Sequence, residues 1–112
     1  MLSEIINDAI YHDASDIQVI PEKNYARLFY RIDGSRKLVR ELSEQEHKDI
    51  LSLIKAAGSM DLTDNSRDQH GEYTHRYDGV STQVCAQVLI DGSGREAITA
   101  SFIRDPFLPI HS

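Results

Sequence analysis

The chain has 112 residues, 40% of them apolar and 27% charged, and a formal net charge of −6. That length supports one core hiding about two-thirds of the unfolded surface, so one domain is expected, and the acid excess argues against general nucleic-acid binding. The lone Cys85 excludes an intramolecular disulfide framework and fits a reducing cytoplasm, while no apolar run approaches the roughly 18 residues of a membrane-spanning helix.

Leu2, Ile5, Ile6, Ala9 and Ile10 recur at helical spacing, which predicts an amphipathic helix at the start. Asp13 and Ser15 favour a turn into a first strand within the stretch Ala14–Pro21, which Pro21-Glu22-Lys23-Asn24 interrupts. In the next run Leu28, Tyr30 and Ile32 alternate with Arg27, Phe29 and Arg31, the period-2 pattern of a strand carrying two arginines on one face. Asp33-Gly34 tolerates positive φ and suits a two-residue hairpin turn into Ser35–Arg40.

Ser43-Glu44-Gln45-Glu46 reads as a capping box opening a second helix. Its buried stripe is expected to be Ile50, Leu51, Ile54 and Ala57, with Gly58 closing the C-terminus. Residues 59–69 are polar and irregular. A three-strand meander is predicted after them: Gly71–Tyr77, then Val80–Ile90 after the Asp78-Gly79 turn, then Glu96–Ile103 after Asp91-Gly92-Ser93-Gly94. Asp105-Pro106-Phe107-Leu108-Pro109 is expected to break the ladder. These elements make an α+β domain, an antiparallel sheet with helices packed on one face.

The chemistry-bearing residues are few. A phosphate-cradling loop needs G-x-x-x-x-G-K-[ST], and no two of Gly34, Gly58, Gly71, Gly79, Gly92 and Gly94 are five apart. The chain alone is therefore expected not to hydrolyse ATP, and no catalytic residue is assigned. His70 and His75, with Cys85 and His12, suggest a metal set, but an odd spacing on a strand sends side chains to opposite faces. No metal site is expected. Cys85 lacks a nucleophile motif, and Asp13, Asp16 and Asp33 read as turn residues rather than paired acids.

"ASDIQVIP" followed by "RLFYRIDG" resembles the "ASDIHIEP … VRYRIDG" signature of the secretion-ATPase superfamily, whose members drive type II secretion, type IV pili and conjugation-type transport. Met60-Asp61-Leu62 with Arg67–Gly71, and the last two strands, resemble later blocks of the same pattern. The resemblance spans residues 14–104 and implies a PAS-like amino-terminal domain at 1–104, with 105–112 starting a linker toward a motor domain. It implies assembly and nucleotide coupling within a homohexamer, with ATP and Mg in the full-length parent and none on this chain alone. It also implies contact with inner-membrane secretion or pilus components, without membrane insertion. Arg31, and more weakly Arg27, match the block that turns arginines toward nucleotide. The family arginines near Gln83 and Ser101 are missing, with Arg76 or Arg104 as substitutes, and Gln18 replaces the usual histidine. The alternative is a stand-alone PAS-like ligand-binding or adaptor domain with no ATPase.

Overall fold

The computed structural model describes residues 1–103. The elements, in chain order, are α1 (Leu2–Tyr11), β1 (Asp16–Pro21), β2 (Tyr25–Ile32), β3 (Ser35–Ser43), α2 (Glu44–Ala57), β4 (Gln69–Tyr77), β5 (Val80–Ile90) and β6 (Glu96–Ile103). The six strands form one antiparallel sheet of order β3-β2-β1-β6-β5-β4. Two meanders are thus joined at the centre, where β1 pairs with β6 and Ile17 lies opposite Ala100. α2 leaves one edge strand, β3, and the chain re-enters the sheet at the other edge, β4. It crosses over a single face, and α1 packs with it there.

Local chemistry explains the elements. The capping box is closed at both ends: Glu46 N donates to Ser43 Oγ at 3.0 Å and Ser43 N to Glu46 Oε1 at 2.9 Å. Both Asp-Gly hairpins take positive φ at each turn residue, 51° and 79° at Asp33-Gly34, and 52° and 77° at Asp78-Gly79. That twist matches the flanking strands, which is why these dipeptides set the register. In the irregular stretch before β4, the Asp61 and Asp64 carboxylates accept bonds from Thr63 and Ser66, holding both pKa values below the ordinary carboxylate range.

Alternation puts Ile17 and Val19 of β1, Leu28 and Tyr30 of β2, Val84, Ala86 and Val88 of β5, and Ile98 and Ala100 of β6 on the inner face. Ile6 and Ala9 of α1 and Ile50 and Ile54 of α2 close over them, each fully buried. The predicted α+β layout, with its antiparallel pairings and most of both helix stripes, is therefore present.

Some expectations change. Ala57 is exposed, and Lys55 is buried in the last turn of α2 instead, at 4% exposure. Its ammonium reaches Glu96 Oε2 at 2.5 Å and donates to the Asp64 carbonyl at 3.1 Å, tying α2 to β6 and the preceding loop. A periodicity argument that sorts residues as apolar or polar misses a buried cation with its own partner. Gly58 caps α2 with φ −89°, and the left-handed residue is Ser59 at φ 58°. The tight contact belongs to Gly71, where a Cβ would fall 2.1 Å from the Gly58 carbonyl oxygen. β3 runs on to Ser43 and β4 begins at Gln69, each longer than expected. The proposed linker at 105–112, and Arg104, lie outside the described residues.

Ile54→Ala should destabilise the domain by about 2–5 kcal/mol in urea unfolding, because the site is closed on all sides. His75, at 7% exposure, places Nε2 2.5 Å from Asn7 Oδ1, and burial holds its pKa below the ordinary 6.5. The unfolded chain then takes up this proton first as pH falls, so the stabilising contribution is complete above about pH 6.5 and is lost between that value and the lower folded-state pKa. Urea midpoints at about pH 7.5 and about pH 5.5 should show that loss in the wild type and a smaller one in His75→Gln.

Candidate functional site

With both helices on one side, the other face of the sheet carries the outward residues of every strand. On β2 these are Arg27, Phe29 and Arg31, flanked in register by Ile20, Gln18 and Asp16 of β1. On the other flank β3 supplies Glu41, Leu38 and Arg36, with a register shift between Leu28 and Phe29 that leaves Val39 without an opposite partner. The strand placement predicted for Arg27 and Arg31 is therefore present.

Their surroundings differ. Arg31 has a 39% exposed side chain, with Nε 3.4 Å from Asp16 Oδ1 and Nη1 3.5 Å from the Gly34 carbonyl. Asp16 is itself held by Ser15, whose hydroxyl donates to Oδ1 at 2.7 Å. Arg27 is closed on Glu22, with Nη2 at 2.6 Å and Nε at 3.2 Å from one carboxylate oxygen, which raises its pKa further. Four residues of strand separate the two arginines by about 13 Å, so they share a face but not a pocket.

Between them Phe29 is 8% exposed although it points away from the core. Guanidinium groups cover it: the Arg36 carbon lies 4.3 Å from the ring centre and that of Arg27 lies 5.9 Å away. Arg36 Nη1 also donates to Gln18 Oε1 at 3.4 Å. Arg36 is the residue that sequence reasoning missed. The signal was available, because a two-residue turn at Asp33-Gly34 pairs Ile32 with Ser35 and hence Arg31 with Arg36.

The remaining candidates do not converge here. Ser101 lies opposite Asp16 and Cys85 on the same outer row, and Gln83 bonds Glu72 and Thr74 further along the face. Arg76 sits opposite Ser81 on edge strand β4, four strand spacings or about 19 Å from β2, too far to stand in beside Arg31. Burial and Glu72 push the Cys85 thiol up, the wrong direction for a nucleophile. His70 is exposed and His75 buried, so the two part to opposite sides of β4. Among the described residues no group of three or more His, Cys, Asp or Glu side chains is arranged to hold a metal, and no helix is long and apolar enough to cross a membrane. What the face offers is fixed, outward cations on a rigid strand, suited to binding an oxyanion rather than to bond-making.

Arg31 is half exposed and Asp16, the buried member of the pair, keeps the Ser15 hydroxyl as a partner, so the ion pair contributes about 0–1 kcal/mol to folding. Arg31→Ala in this chain should therefore leave the melting temperature nearly unchanged. A drop comparable to that of Ile54→Ala would make Arg31 a structural residue.

No family profile matches the chain. It is 24% identical over 97 residues to the type IV pilus assembly ATPase PilB of Thermus thermophilus, covering 87% of this chain and 11% of that protein. It is 24% identical over 98 residues to the type II secretion system protein HxcR of Pseudomonas aeruginosa, covering 88% and 21%. It is 27% identical over 70 residues to the competence protein ComGA of Bacillus subtilis, covering 62% and 20%. The chain thus spans 11–21% of the length of these relatives. Its fold is shared with the X-ray structure of the Legionella pneumophila ATPase DotB, at a TM-score of 0.63 and 21% identity over 98% of this chain and 32% of that one. In sequence and in fold the chain is thus similar to the amino-terminal domains of secretion-superfamily ATPases.

Proposed function

We propose that this chain is the assembly and nucleotide-coupling domain of a secretion-, type IV pilus- or conjugation-type ATPase. In this reading a motor domain supplies the phosphate loop, its lysine, Mg²⁺ and the catalytic acid. Six such subunits form a ring on the cytoplasmic side, held at the inner membrane through partner proteins. The names of the relatives, a pilus assembly ATPase and a type II secretion protein among them, support the setting.

One observation carries the nucleotide part of the proposal: Arg31 stands half exposed on β2, a strand paired on both sides and one in from the edge of the sheet, with its guanidinium turned outward. An always-charged planar fork on a rigid support is the group suited to phosphate oxygens on which charge develops. Arg27 belongs to the same face and serves as the weaker contact, since Glu22 already occupies two of its donors. The chain's part is electrostatic, with ATP held by the motor domain and Arg31 reaching it across the boundary between domains or subunits.

In the polypeptide or complex that joins this domain to a motor, Arg31→Ala should lower ATP turnover about ten- to a hundredfold, equivalent to roughly 1.5–3 kcal/mol for one charge-assisted contact. Steady-state hydrolysis and ring assembly are the readouts. Wild-type values for both would return Arg31 to the status of a solvated strand residue.

A further inference from the structure

The register brings Arg36 of β3 directly opposite Arg31 of β2. Side chains of a directly opposed pair leave the sheet on the same side, so the two arginines share the outer face, Arg31 leaning on Asp16 and the Gly34 carbonyl and Arg36 lying over Phe29 toward Gln18. Like charges at opposed positions repel, and an anion held between them turns that repulsion into attraction. The acids nearby do not fill that role. Asp16, which meets Arg31 Nε at 3.4 Å, comes from β1, on the far side of β2 from Arg36. Glu41 lies opposite Arg27, and Asp33 sits in the turn.

Arg36 is also held differently from the other two arginines. Arg27 is locked to Glu22 and Arg31 is balanced by Asp16, whereas no ion pair among the described residues involves Arg36. Its contacts are the Phe29 ring, 4.3 Å away, and the neutral Gln18 amide, at 3.4 Å. These fix where the group sits without cancelling its charge.

We propose that Arg31 and Arg36 form an oxyanion clamp across the β2–β3 hairpin, with a phosphate group seated between the two guanidinium forks. This rests on the reading of the outer face as nucleotide-facing and extends it by a residue that alternation alone did not single out. Paired forks match phosphate oxygens bidentately, and a bound phosphate replaces repulsion between the arginines with attraction to each. The clamp recognises the oxyanion itself, so free pyrophosphate and the phosphate end of ATP are both ligands, and comparing them shows whether the nucleoside adds anything.

The test is a titration of the whole chain with pyrophosphate and with ATP, against sodium chloride at matched ionic strength, followed through the NMR shifts of the arginine Nε–Hε groups. Arg36→Met keeps a long side chain over Phe29 without the charge, and Arg36→Gln serves should that variant not fold. Arg76→Ala, on the distant edge strand, is the control. Saturable shifts at Arg31 and Arg36 are expected in the wild type and in Arg76→Ala, with binding weakened by about tenfold or more in Arg36→Met and in Arg31→Ala. If Arg31→Ala weakens binding while Arg36→Met does not, the clamp is wrong and Arg31 acts without it. If neither change matters, or chloride reproduces the shifts, the clamp is wrong and the nucleotide-facing reading loses its support as well.

Discussion

The structure depends on one-sided burial. α2 has to carry the chain from edge strand β3 to the opposite edge strand β4, and the only short route lies across one face of the sheet. α1 joins it there, so the strands present most of their apolar residues to that face, with Ile20, Phe29 and Leu38 left on the other. Period-2 alternation satisfies this at every strand of the core: Ile17 and Val19, Leu28 and Tyr30, Val84 to Val88, Ile98 and Ala100. A one-residue slip in any of them would turn its apolar set into water, which is why the register is so well specified.

Magnitudes then separate stability from function. Each fully buried aliphatic side chain of the inner layer contributes on the order of 1.5–3 kcal/mol, whereas a half-exposed ion pair on the outer layer contributes about 0–1 kcal/mol. The outer face can therefore vary its charges at little cost to folding while the strands beneath hold them in place. Arg27 and Arg31 take their positions from Glu22 and Asp16, and Arg36 takes its position from Phe29 and Gln18. The buried pair Lys55–Glu96 is the exception on the other side, a charge contact on which the helix-to-sheet docking relies. Losing either partner there would strand a buried charge.

Much of this was legible in the residues. Ser43 and Glu46 announced α2, the Asp-Gly dipeptides announced two hairpins, and the alternation from Val80 to Ile90 announced a half-buried strand. These are local signals, each set by the chemistry of a few neighbouring positions. What stayed hidden was non-local. Lys55 looks like a solvent residue until Glu96 arrives from a strand far along the chain, and Gly71 looks unremarkable until the end of α2 presses against it. Phe29, outward by alternation, is covered only because arginines from two strands fold over its ring. The "RIDG" block pointed to Arg31 as a candidate, whereas the place of Arg36 over Phe29 required the hairpin register to be counted through the turn.

In the proposed reading the helix-free face works at a nucleotide. The direct measurement is a cryo-electron-microscopy map of the assembly that joins this domain to its motor, bound to a non-hydrolysable ATP analogue. The account predicts the outer face of β2 turned toward the nucleotide, with the Arg31 guanidinium within hydrogen-bond distance of a terminal phosphate oxygen. A map in which that face looks into solvent, with Arg31 still resting on Asp16 and no phosphate near it, would contradict the account.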